Sequence, residues 1–81
     1  RIALFNGFAY YKLGLFEQAV PFLETAVEYS PQKITNLLLL ADTLQKTGDD
    51  DYAIYVETAY ELAPEDPEVE QAYENLRGSG Q

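Results

Sequence analysis

The stretch Gly7-Phe8-Ala9-Tyr10-Tyr11-Lys12-Leu13-Gly14-Leu15-Phe16-Glu17-Gln18-Ala19 decides how this chain folds, because its spacing returns further on. Shifted by 34 residues, Gly7 falls on Ala41, Tyr10 on Leu44, Gly14 on Gly48 and Ala19 on Ala53. Beyond that point the register slips to 33, so that Ala26 meets Ala59, Tyr29 meets Leu62 and Pro31 meets Pro64. A period of this size marks stacked supersecondary units, each leaving an apolar face that its neighbour covers. Chains built this way usually bind other proteins rather than transform small molecules.

Local signals divide the chain into five helices joined by short turns, and no alternating apolar pattern suggests a strand. The first helix spans about Ile2 to Leu13 and stops at Gly14, a residue free to take the left-handed conformation that helix ends use. Gly48 ends the third helix in the same way. The second, about Phe16 to Tyr29, aligns Ala19, Leu23, Ala26 and Val27 on one face and stops before Ser30-Pro31. Pro21 is expected in its first turns, where a missing amide is tolerated. A third helix follows over about Gln32 to Lys46. A fourth, from Asp50 or Asp51 to Leu62, draws on aspartates at its positive end. Asp66 then caps a fifth helix that opens on Pro67 and carries Val69, Ala72, Tyr73 and Leu76 as a narrow apolar stripe. The fold class is therefore all-α, an α-solenoid of antiparallel helix pairs. Two repeat units occupy 1–31 and 32–65, the first lacking the start of its first helix; a capping helix covers 66–77 and a flexible tail 78–81.

The stretch from Gly7 to Ala19 resembles the heart of a tetratricopeptide repeat, and Ala26-Val27-Glu28-Tyr29-Ser30-Pro31 is similar to that family's usual ending. Leu40-Ala41-Asp42-Thr43-Leu44, Gly48, Ala53 and Ala59-Tyr60-Glu61-Leu62-Ala63-Pro64 restate the pattern, so the resemblance covers nearly the whole chain. Small residues suit such a unit because its two helices cross closely, Gly7 or Ala41 leaving room for Ala19 or Ala53. Three places depart from the pattern. Ala3 and Leu37 stand at an aromatic position, Asn6 stands where leucine is usual, and one residue is missing between Gly48 and Ala59. A deletion turns one part of a helix by about 100° against the rest, so either Ala53 or the larger Tyr52 must face the crossing. Ala53 is expected there, with the turn around Asp49 absorbing the change.

What the resemblance implies is a protein–protein interaction module whose concave groove, lined by the first helix of each unit, holds a peptide segment of a partner protein. The family's groove positions map onto Leu4, Phe8, Tyr11 and Lys12, and then onto Leu38, Asp42, Gln45 and Lys46; Gln71 and Asn75 continue them on the last helix. Leu4, Phe8 and Leu38 are expected as apolar anchors, and Asp42, Gln45 and Asn75 as partners for a ligand backbone. The alternative is a structural segment that stacks or dimerises within a larger assembly, a homodimer forming through the N-terminal helix if a second copy covers Leu4, Phe5 and Phe8. The family's chaperone-binding type, which grips a C-terminal carboxylate with cations, is not expected. Leu4 and Phe8 occupy places where that type carries lysine and asparagine, and Leu39 replaces its second asparagine.

Composition narrows the remaining choices. The 81 residues contain no cysteine and no histidine, which removes thiolate and imidazole metal ligands, disulfides and the commonest nucleophiles and general bases. No enzyme, cofactor or metal is expected. Asp49-Asp50-Asp51 fails as a calcium loop because Ile54 and Tyr60 stand where glycine and a bidentate glutamate are required. Glu65, Asp66, Glu68, Glu70 and Glu74 read as a solvated helix surface with no apolar wall to raise a pKa. The net charge is −9, and from Thr47 to Leu76 there are ten acids and no base. Such a field disfavours nucleic acid and anionic lipid and favours a basic partner surface. No run reaches the roughly 18 apolar residues that span a bilayer, so a soluble domain without membrane insertion is expected, with the cytoplasm slightly favoured. Opening on Arg1 inside an amphipathic pattern, without a cap before it, reads as a fragment of a longer solenoid.

Overall fold

A computed structural model describes residues 2–79, with side chains from Asn6 to Gly78. It contains α1 (Ile2–Lys12), α2 (Phe16–Tyr29), α3 (Ile34–Thr47), α4 (Tyr52–Leu62) and α5 (Pro67–Ser79), with no strand among the described residues. Each helix packs on the next along the chain, and α3 also touches α5, so the hairpins stack side by side.

The hairpin turns follow from two glycines. Gly14 and Gly48 have φ of 79° and 83°. Around the first, the Gly14 amide donates to the Tyr11 carbonyl and the Leu15 amide to that of Tyr10; around the second, Gly48 donates to Gln45 and Asp49 to Leu44. Both are Schellman motifs, which satisfy carbonyls left open at a helix end, and both need a left-handed residue. The links between hairpins also recur at 33 residues: Ser30 donates to Ala26 and Lys33 to Ser30, as Ala63 donates to Ala59 and Asp66 to Ala63.

Several boundaries differ from the sequence expectation. α3 starts at Ile34 because Pro31, Gln32 and Lys33 complete the turn. α4 begins at Tyr52, and its flanking Asp51 makes no side-chain cap; instead the Asp49 carboxylate accepts from the Asp51 amide at 2.9 Å. α5 continues through Gly78 to Ser79, past the point where a tail was expected; Gly80 and Gln81 lie outside the described residues. Pro21 sits at the sixth residue of α2, beyond the first turn, so its missing amide removes an internal hydrogen bond. At α5 the capping expectation holds, Asp66 Oδ1 accepting from the amides of Glu68 and Val69 at 2.9 and 3.4 Å.

The missing residue is absorbed by tightening. Tyr52, Ala53 and Ile54 donate to the carbonyls of Asp49, Asp50 and Asp51, three residues back in each case. In the first hairpin Ala19 donates four residues back, to Leu15. A three-residue turn winds the chain further per residue than an α turn, and α4 thereby enters the stack in a register of 33. Buried Val56 and Ala59 then repeat buried Leu23 and Ala26. The residue that repeats Ala19 is Tyr52, not the expected Ala53. Tyr52 packs half-buried against the cluster of Ala19, Leu23, Leu40 and Leu44, and Ala53 is left partly exposed beside it.

Two core clusters result. The first joins α2 to α3 through Leu23, Leu40 and Leu44; the second joins α3, α4 and α5 through Leu37, Ala59 and Val69. Gly7 is buried against the first cluster, and a methyl group in its place would lie 2.8 Å from Leu23 Cδ2 and 2.9 Å from Cγ. The close partner of Gly7 is therefore Leu23 rather than Ala19.

Candidate functional site

Stacking puts the first helices of successive units, α1, α3 and α5, along one concave side, where they enclose an open groove of about 780 Å³. Helical spacing decides which residues reach it. On α3, Thr35, Leu38, Asp42 and Gln45 recur every three or four residues and form one stripe. α5 supplies Glu68, Gln71, Ala72, Asn75 and Leu76, and α1 supplies Phe8 and Tyr11. Leu39 and Ala41, with Tyr52 and Val56 from α4, line the remaining apolar wall.

Of the ten residues expected in the groove, Phe8, Tyr11, Leu38, Asp42, Gln45, Gln71 and Asn75 are brought together there. Lys12 and Lys46 do not line it. Lys12 Nζ lies 5.5 Å over the Phe8 ring, and Lys46 Nζ lies 5.8 Å over the Phe16 ring. The Leu4 side chain is outside the described residues. Thr35 and Glu68 were missed, although each sits three residues before an expected member of its stripe. Tyr52 and Val56 carried no such signal, because their place depends on the tightened turn before α4.

Four side chains close a ring at the edge of the groove. The Tyr11 hydroxyl donates to Asp42 Oδ2, linking α1 to α3, while Lys46 Nζ pairs with Asp42 Oδ1 at 3.2 Å. Lys46 stands over Phe16, and Phe16 meets Tyr11 edge to face at 5.4 Å between centroids. The Tyr11 phenol is pushed up to about 12, first by its hydrogen bond to Asp42, then by burial and by the carboxylate's charge. Both Asp42 oxygens thus already accept from side chains of the chain itself, at the same residue that was expected to bond a ligand backbone. The amides fare differently: Gln71 Nε2 donates to Asn75 Oδ1 at 3.1 Å within α5, and Gln45 is exposed.

Residues 7–33 match the tetratricopeptide repeat family. No curated protein matches the chain. Repeats of that family generally mediate protein–protein interaction and form a non-catalytic scaffold. No helix among the described residues is long and apolar enough to cross a membrane. The matched stretch runs from Gly7, midway along α1, through the glycine turn and α2 to Lys33, and the second hairpin restates its turn, its burial pattern and its closing link. The family match over one third of the chain supports a tetratricopeptide repeat, and the stacked, all-helical architecture fits the α-solenoid such repeats build.

Proposed function

We propose that this chain is a binding module that takes a peptide segment of another protein into its concave groove. The observation that carries this reading is the groove itself: about 780 Å³ of continuous space, walled by four helices and offering more apolar than polar surface. Recognition sites for peptides share that composition, an apolar floor for anchoring side chains and a few polar groups that fix orientation. Phe8 is 47 % exposed, which suits an anchor contact better than a core role. Leu38 lies half-buried beside it on the next first helix, and the amides of Gln45, Gln71 and Asn75 each offer both a donor and an acceptor.

Phe8→Ser tests the proposal. With a peptide selected on the whole chain, the substitution is expected to abolish capture while the helical circular dichroism signal stays intact. Capture that survives Phe8→Ser excludes the groove.

A second reading, self-association through the first hairpin, is favoured by the exposure of Leu13 and Leu15 at its tip, at 72 % and 40 %. The second hairpin carries Thr47 and Asp49 at the equivalent places. Light scattering on the purified chain separates the two: a monomer supports peptide capture, and a dimer dispersed by Leu13→Ser supports assembly.

A further inference from the structure

Folding changes the electrostatic character of the groove. Two lysines and one aspartate were expected along it, yet neither lysine is among the lining residues: Lys12 Nζ stands over the ring of Phe8 at the groove's edge, and Lys46 Nζ over that of Phe16. Lys46 moreover neutralises Asp42. Glu68 is then the one charged lining residue without an ion-pair partner among the described residues, and it is exposed in the first turn of α5. No cation lines the groove among those residues. The half of the chain that builds the Glu68 side, from Thr47 to Leu76, holds ten acids and no base. Apolar lining lies next to Glu68 on its own helix, at Ala72 and Leu76, and across the groove at Leu38.

Charge complementarity separates the ligands such a surface admits. An acidic or phosphorylated segment would approach a chain of net charge −9 and meet Glu68, which has no ion-pair partner among the described residues. A segment carrying lysine or arginine would be steered inward and find one carboxylate at the groove wall. The long stem of either residue can lie along apolar lining while its head reaches that carboxylate. Resting on the groove reading above, we propose that the occupant is a basic amphipathic peptide segment, its apolar side chains on Phe8, Leu38 and Leu76 and a lysine or arginine directed to Glu68.

The test is selection from a random dodecapeptide display library on the whole chain at low salt, followed by fluorescence titration of the enriched peptides in synthetic form. Enriched sequences are expected to combine two or three apolar residues with an excess of lysine and arginine, and their affinity to fall with added salt. Glu68→Gln is expected to weaken them about two- to fivefold, the range of a solvent-exposed ion pair; Glu68→Lys should weaken them more. Glu68 is exposed at the chain surface, and circular dichroism checks that both variants keep their helix content. Peptides that lose binding on Phe8→Ser but carry no excess of base, or bind Glu68→Gln unchanged, overturn the basic-ligand inference and leave the groove reading standing. Enrichment indifferent to Phe8→Ser, or no enrichment at all, overturns both.

Discussion

In the first hairpin the tight position of α1 is Gly7, against Leu23 of α2; in the second, the same places in α3 and α4 are held by Ala41 and Val56. Leucine brings four side-chain carbons to glycine's none, whereas valine brings three to alanine's one, so the pair volume is kept and one carbon has crossed from the second helix to the first. All four residues are buried. What the difference teaches is that the unit constrains the sum at the crossing rather than either residue, as expected where interiors are close-packed and volume-conserving exchanges are best tolerated. The load is nevertheless distributed differently. Leu23 alone fills the space over Gly7 in the first crossing, while at the aligned places of the second the carbons are divided between buried Ala41 and Val56.

The largest effect should come from emptying that first crossing. Leu23→Ala is expected to cost about 3–5 kcal/mol, and Val56→Ala roughly two thirds of that, because two carbons are removed instead of three. For a domain of 81 residues, total stability is on the order of 4–12 kcal/mol. At the low end of that range Leu23→Ala leaves the chain near its unfolding midpoint at room temperature, and across the range it should cost more stability than Val56→Ala. Urea melts followed by circular dichroism measure both. A Val56→Ala loss equal to or above that of Leu23→Ala would mean that the second crossing, not the first, carries the stack.

Next in size is a direct exchange of the two solutions. Gly7→Ala forces a methyl to within 2.8 Å of Leu23, an overpacking of about 1–3 kcal/mol that alanine's better helix propensity, about 1 kcal/mol, only partly offsets. Leu23→Val alone should cost about 1 kcal/mol by leaving space. Together they install the second hairpin's pair in the first, and the double variant should be more stable than the sum of the single losses by at least about 1 kcal/mol. Strict additivity in this cycle would refute the shared-volume account.

The same comparison shows which features can be read from residues alone. Gly14 and Gly48 announce themselves, since a left-handed residue after a periodic apolar run has few other uses, and both turns appear where the glycines stand. Leu23, Ala26 and Val69 are legible from helical spacing and are buried. The register of α4 is not legible, because Ala53 is the more plausible small residue on composition. The choice of Tyr52 is made by three consecutive short-range hydrogen bonds that no residue type prescribes. Nor could the withdrawal of Lys46 be read. Its pairing with Asp42 is an ordinary i, i+4 contact, but its place over Phe16, thirty positions away in sequence on another hairpin, exists only once the fold does. The groove candidates thus came from the family resemblance, and the pairing of their charges came from packing.

The smallest effect concerns the junctions between repeats, which also differ. At the first, Tyr11 of α1 bonds Asp42 of α3; the residue 34 positions after Tyr11 is Gln45, and the amide pair Gln71–Asn75 of α5 stays within one helix. Tyr11→Phe deletes the cross-helix bond and is expected to cost about 1 kcal/mol at neutral pH, a charge-assisted hydrogen bond discounted for a half-exposed site. Its pH dependence identifies it. The folded phenol titrates near 12 against 10 for the free side chain, so the fold holds the protonated form. Its stabilisation is complete below pH 10 and disappears between pH 10 and pH 12. The wild type should accordingly lose stability faster than Tyr11→Phe across that window. The variant keeps the contribution of Tyr55, whose phenol is raised mainly by burial and then by Glu24, Asp51, Asp49 and Glu28. Asn75→Ala, which breaks a pair within α5, should cost only about 0.2–0.5 kcal/mol. If it cost as much as Tyr11→Phe, or if the two melting curves stayed parallel from pH 10 to 12, the first junction would not be the one held by a side-chain bond. Its stability would then rest on the Leu23, Leu40 and Leu44 cluster alone.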